Sequence, residues 1–375
     1  MKGAAAPALI AAAATTFAWL VLRAESQLSI AALIALLIAV GVVATRTRLL
    51  QPLFAASRER TTQAFSVAAV AVLALLLRED DFSLLLVARV LIVIVACLGL
   101  NVQFGYAGVM NFAGASFFGV GGYTAAVLSS STRMPHLLIL LCGGAAAALL
   151  GTVLVVPVLR TRGHYAALVT IAFALLFRTF LEVNDTLGGP QGLKLRELVI
   201  GPFHFNDPIE LGPLQGSFYL RYVALALLLV VLFFTLVQRL DRSFVGITLD
   251  AVRLDEIAAG SFGVQIARWK TVAFTLGNFI TGVAGALSAF MIGFIAPNNY
   301  AFGESLIFVS ILLLGGIGNP WGLSLAAAIV VLLPEKLQVI QEYRFLLFAA
   351  MVILVLLFRP AGLVPRRLRR LEPEP

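Results

Sequence analysis

Long apolar runs separated by short charged clusters make up most of the chain. Stretches free of Asp, Glu, Lys and Arg occupy 3–22, 26–45, 61–77, 90–132, 134–159, 222–238, 271–303, 305–334 and 345–358. A helix needs about 20 mostly apolar residues to cross the hydrocarbon core of a bilayer. The pattern therefore predicts an all-α, polytopic transmembrane helical bundle of about 10–12 spans, some of them short or discontinuous, because the longest stretches hold more than one crossing. One polar island interrupts it. Gln238 to Lys270 carries nine charged residues in thirty-three, with a nearly charge-free run on either side.

Two apolar stretches are not simple helices. Residues 101–123, NVQFGYAGVMNFAGASFFGVGGY, hold Asn101, Gln103, Asn111 and Ser116 among many glycines. Irregular backbone survives in a membrane only where protein buries it or where it lines a cavity, so a discontinuous helix beside a translocation path is expected here. Close packing through small residues accounts for the same glycines, and the two readings are compatible. The second stretch is Gly315-Gly316-Ile317-Gly318-Asn319-Pro320-Trp321-Gly322, between the apolar segments 304–316 and 323–333. Each segment is shorter than a full span, so they form either two short crossings or a pair of half-helices. In 271–296, by contrast, Ala273, Gly277, Thr281, Gly285, Ala289 and Gly293 recur at every fourth position. A neighbour can approach such a face along its whole length, which places this span at the centre of the bundle.

Charge sets the orientation. Only 12% of the 375 residues are charged and 61% are hydrophobic. The net charge of +8 would suggest nucleic acid, but the cations flank the apolar spans: Arg46, Arg48, Arg58, Arg60, Arg160, Arg162 and the run Arg366 to Arg370. That is the positive-inside signature of a membrane protein, and no nucleic-acid partner is expected. With the N-terminus inside, spans at 4–22 and 28–44 lead to a basic interfacial linker at 46–62. The island then falls on the cytoplasmic side. Turn signals from Gly188-Gly189-Pro190 to Gly212-Pro213 predict a long external loop over 184–218. Arg89 is expected to snorkel to the outer interface. Arg178 and Glu182, at i and i+4, read as a self-neutralising pair or as part of a vestibule.

The chemistry of an enzyme is missing. There is no phosphate-cradling G-x-x-x-x-G-K-[ST]. His136, His164 and His204 lack neighbours at metal-ligand spacing, and Cys97 and Cys142 lie in apolar segments as packing residues. No catalytic residue and no metal site is expected. Carboxylates inside the spans, the usual mark of ion coupling, are limited to Glu182 and Glu304 near predicted outer ends. The chain reads as a conduit driven from elsewhere. In the island, Leu249 to Ser261 has the composition of a short cytoplasmic helix that Gly260 and Gly263 end.

The order Glu256-Ile257-Ala258-Ala259-x-x-x-Gly263 resembles the loop by which permease subunits of ATP-binding-cassette importers engage their ATPases. Leu98-Gly99-Leu100-Asn101, Gly105-Tyr106-Ala107-Gly108 and Phe117-Phe118-Gly119-Val120-Gly121-Gly122-Tyr123 are similar to motifs of the branched-chain amino acid permease family of such importers. So are Arg162-Gly163-His164-Tyr165, Gly188-Gly189-Pro190-Gln191-Gly192, the Gly315 to Gly322 stretch, Leu333-Pro334-Glu335, Tyr343-Arg344 and Leu357-Phe358-Arg359-Pro360-Ala361-Gly362-Leu363. The resemblance runs in order from about 90 to 363. Ala113-Gly114 stands where the family commonly has Gly-His, and Asn111-Phe112 is closer to the companion permease subunit.

The resemblance implies a permease that imports leucine, isoleucine or valine by alternating access across the bacterial inner membrane. The implied partners are a second, homologous permease, two cytoplasmic ATPases that bind the ATP and Mg, and an external substrate-binding protein. Urea or short amides are the alternative cargo, and a stand-alone carrier or channel the alternative class. The expected division is 1–80 for N-terminal spans and linker, 81–363 for the permease domain with its coupling loop at 239–270, and 364–375 for a basic tail. ATPase coupling is expected from Arg253, Asp255, Glu256, Ala258, Ala259 and Gly263. The translocation path is expected along Asn101, Gln103, Tyr106, Asn111, Phe117, Phe118 and Arg178.

Overall fold

The computed structural model describes residues 2–24, 60–161, 165–201, 203–211, 214–336 and 361–366, with isolated positions between 343 and 357. The expected span 28–44, most of the linker 46–62, and residues 162–164 lie outside them.

Helices account for most of the described structure. They are α1 (Lys2–Arg23), α2 (Arg60–Leu76), α3 (Asp81–Asn101), α4 (Gly114–Ser131), α5 (His136–Arg160), α6 (Tyr165–Val183), α7 (Tyr219–Arg242), α8 (Phe244–Leu254), α9 (Glu256–Ser261), α10 (Ile266–Ile292), α11 (Phe302–Gly315) and α12 (Pro320–Lys336). Six segments among the described residues are long and apolar enough to cross a membrane: 81–106, α5, α6, α7, α10 and 297–315. α1 and α2 contribute shorter apolar stretches, Ala11–Arg23 and Thr62–Leu76. The chain is a polytopic helical membrane protein.

α10 is the axis of the bundle and packs against α3, α4 and α5. Ala273, Gly277, Thr281, Gly285 and Ala289 are all buried on it. Their glycines let backbones touch: a Cβ on Gly285 would overlap the carbonyl of Phe118, one on Gly121 that of Gly282, and one on Gly99 that of Gly277. In lipid, where apolar burial gives helices little reason to associate, such close van der Waals contact is what holds them. Thr281 Oγ1 adds hydrogen bonds to the carbonyls of Ala96 at 3.2 Å and Gly277 at 3.0 Å.

The segments around Gly316 form an antiparallel pair, α11 and α12, both packed on α3. The chain returns to this turn at its C-terminal end, where the N–H of Leu363 donates to Leu314 and that of Val364 to Gly315. Arg89, expected to snorkel, reaches the same end of the bundle as Glu335 and pairs with it.

The predicted loop 184–218 has structure of its own. Val199–Ile200 pairs antiparallel with Phe203–His204, Ile209–Leu211 with Leu214–Gly216, and Leu193–Lys194 with Phe294–Ile295 beyond α10. The glycines and prolines that signal loops are also hairpin residues, so the turn positions were readable and the ribbons between them were not.

Candidate functional site

The helix begun by α3 fails in the middle of the bundle. It passes through a π-helical turn, Val102–Tyr106, and unwinds before α4 starts at Gly114. Gly108 takes φ +67°, a left-handed conformation that a glycine adopts without penalty. Unwound N–H groups inside a membrane protein need partners, and polar side chains supply them. Asn111 Oδ1 accepts from the N–H of Ala113 at 2.9 Å, Thr170 Oγ1 from Phe112 at 3.0 Å, and Ser305 Oγ from Ala115 at 3.0 Å. Asn101 Oδ1 accepts from the N–H of Gly318 at 2.8 Å, joining the break to the α11–α12 turn.

An amide network lies behind the break. Gln103 Nε2 donates to Asn278 Oδ1 at 2.9 Å and to the carbonyl of Phe274 at 3.3 Å, and Asn111 Nδ2 donates to Gln103 Oε1 at 2.7 Å. Asn101, Gln103, Asn111 and Asn278 are all fully buried. The Nδ2 groups of Asn101 and Asn278 and the hydroxyl of Ser116 find no protein hydrogen-bond partner. Buried donors left over in this way are uncommon in folded proteins; Ser116 lies in the first turn of α4, Asn101 at the break, and the Asn278 Nδ2 against Gly151 of α5.

The other path residues divide by position. Phe117 is buried, stacked on Phe173 at 5.2 Å and edge-on to Phe274 at 5.9 Å. Phe118 turns toward Phe308 and Tyr300. Arg178 is far from the amides: it holds Glu182 at 2.9 Å and donates to Asn298 Oδ1 at 3.0 Å. Tyr106 is buried and faces the charged island.

The island is two helices rather than the one expected over Leu249 to Ser261. Asp255 is extended, with φ −155° and ψ 105°, and its carboxylate caps α9 by accepting from the N–H groups of Ile257 at 2.9 Å and Ala258 at 3.0 Å. A capping Asp in mid-run is a start signal, and it divides α8 from α9. Gly260 lies inside α9, and Gly263, at φ +81°, ends it. Ala259 is buried, Ala258 is exposed, and Glu256 pairs with Lys270 at 2.5 Å. Ile257 and Phe262 are 84% and 89% exposed, a large apolar display for a polar loop.

Arg253 turns away from that display. Its guanidinium donates to the carbonyl of Gly105 in the π turn, and its stem covers Gly108. Arg366, which in sequence belongs to the basic tail, occupies the same place with 10% of its side chain exposed. It binds Asp250 through two hydrogen bonds, at 2.6 and 2.9 Å, and Asp241 at 2.5 Å, donates to Gly105 at 3.2 Å, and lies 4.2 Å from the centre of the Tyr106 ring.

Sequence reasoning missed Asn278, Asp241, Asp250 and Arg366. Asn278 had a visible signal, as an amide within the glycine-rich face of α10. Arg366 had none, because RRLRR reads as a surface charge run.

A broken helix wedged at the centre of a membrane bundle, with a charged two-helix loop gripping the break from one end, is the build of a transport permease. The chain belongs to the family of branched-chain amino acid transport system permease components, whose model matches residues 82–356. It is not an enzyme. It is 34% identical over 289 residues to the high-affinity branched-chain amino acid transport system permease protein LivM of Escherichia coli, covering 73% of this chain and 68% of that one. It is 33% identical, with the same coverage, to LivM of Salmonella typhimurium. The probable branched-chain amino acid transport permease protein LivM of Methanocaldococcus jannaschii is 25% identical over 322 residues, covering 73% and 90% of the two chains. No solved structure matches the chain.

Proposed function

We propose that this chain is one of two permease subunits of an ATP-driven importer of leucine, isoleucine and valine in a bacterial plasma membrane. It works with a second, homologous permease, two cytoplasmic ATPases and an external substrate-binding protein. The observation that carries the reading is the contact between Arg253, on the charged island, and Gly105, in the broken helix. A loop that meets an ATPase must be joined to the path it opens, and this contact supplies the joint.

The ATPases dock at α9 and the Gly263 turn, where Ile257 and Phe262 offer apolar anchors. Substrate passes the break near Asn101, Gln103 and Asn111. The spare Nδ2 donor of Asn101 and the positive end of α4 suit a carboxylate, and Phe117 with its aromatic neighbours suits a branched aliphatic side chain. The amides are fully buried in this conformation, so passage requires the helices around the break to part.

The test is ATP-dependent uptake of labelled leucine by the assembled complex in proteoliposomes, with unlabelled valine or urea as competitor. Competition by valine is expected. Competition by urea alone would replace the cargo, and sustained transport by this chain without ATPases would replace the mechanism.

A further inference from the structure

Asp241 at the end of α7, Asp250 on α8, the carbonyl of Gly105 and the ring of Tyr106 all meet the guanidinium of Arg366. Its backbone neighbours are tied to the α11–α12 turn through Val364 and Gly315, and its stem covers Gly318 of that turn. One residue thus touches the island, the broken helix and the turn that Asn101 holds. With Arg253, the cluster has two cations and two carboxylates, so its formal charge is balanced. Arg suits such a place because its planar fork binds a carboxylate at two points and still presents a face to an aromatic ring.

We propose that Arg366 is a positioning residue for transport: the link through which movement of α8 and α9 is passed to the break at Gly105, and which keeps the path closed until the ATPases act. The inference rests on the transport reading above. Arg253 alone joins the island to one carbonyl. Arg366 joins it to both the broken helix and the α11–α12 turn, so that a shift of α8 must move the two together. Losing the link leaves each helix in place on its own packing surface and removes the coordination between them. A double carboxylate contact also explains why the residue is an arginine held inside, while a tail cation that merely followed the positive-inside pattern would stay in solvent.

The experiment measures leucine uptake and ATP hydrolysis together, in proteoliposomes of the complete complex with its binding protein. Arg366→Gln is expected to lower leucine moved per ATP by about tenfold, within the usual range of coupling between two sites, while hydrolysis persists. Arg366→Lys, which keeps the charge but not the fork, should fall between Gln and wild type. Equal loss of uptake and hydrolysis, or unchanged stoichiometry, would overturn the inference. If Arg366→Gln fails to assemble, Asp250→Asn carries the same test, since it keeps the shape of the partner, removes its charge and leaves only one of the two acceptors that the Arg366 fork uses. A wild-type complex that shows no ATP-driven leucine uptake would instead defeat the transport reading. Wild-type uptake with normally coupled variants defeats only the role of Arg366.

Discussion

Gln103 Nε2 and Asn278 Oδ1 meet at 2.9 Å between the π turn and α10, both fully buried. Asn278 Oδ1 also accepts from Asn111 Nδ2 at 3.3 Å, so one oxygen receives donors from both sides of the break. Stripping a partner from a buried donor costs about 1–3 kcal/mol. Asn278→Leu should lower the thermal unfolding temperature of the detergent-solubilised protein and reduce leucine uptake. An unchanged melting profile would mean that the network does not hold the break.

The glycine contacts on α10 predict a contrast within one residue type. Gly285→Ala and Gly121→Ala each place a Cβ against a neighbour's backbone, and overpacking costs about 1–3 kcal/mol even where the surroundings give way. Gly260 is exposed and helical, and a Cβ there would meet only the tip of Ile266 at 3.4 Å. Gly260→Ala should therefore stabilise α9 by up to about 1 kcal/mol. Thermal scans of the three variants decide it, and equal behaviour would refute the packing argument.

Asp255 makes α9 a separate helix, so its cap controls the proposed docking surface. Asp255→Ala should cost about 1 kcal/mol of local stability and lower co-purification of the ATPase. Asp255→Ser, which can still cap, should retain it. A Ser variant as defective as the Ala one would show that the carboxylate contacts the partner directly.

The ribbon formed by Val199–Ile200 and Phe203–His204 carries a pH-sensitive contact. His204 Nδ1 lies 2.6 Å from Glu197 Oε1, and hydrogen bonding to that carboxylate raises the imidazole above its ordinary range near 6.5. The sign follows from linkage: a group with a raised folded-state pKa contributes fully below its unfolded value and loses that contribution as pH rises through the folded one. The ribbon should resist proteolysis better in mild acid than at alkaline pH. Titration of the His204 ring by NMR should move back toward the ordinary value in Glu197→Gln, and no movement would exclude the contact as the cause.

Much of the site was legible because lipid is an intolerant solvent. Asn101, Gln103 and Asn111 had to be buried in protein, since amides in a charge-free stretch have no water to meet, and all three line or support the break. The stripe from Ala273 to Ala289 likewise had to face other helices. The division of the island at Asp255 was legible in principle, since Asp is a strong capping residue, but the surrounding Leu, Ile and Ala favoured one longer helix. The roles of Asp241, Asp250 and Arg366 were not legible, because residues more than a hundred positions apart meet only after folding.

The sequence by itself determined the class, the break and the loop: long apolar runs mark the helices that cross a membrane, and glycines with amides mark where regular backbone ends. Only the tertiary structure decided what the break and the loop touch. Charge in a sequence has a sign but no address, and the positive-inside pattern assigns a basic tail to solvent. The fold instead brings Asp241, Asp250 and the Gly105 carbonyl to one point, and there pairing Arg366 inside is more favourable than leaving two half-buried carboxylates to Arg253 alone.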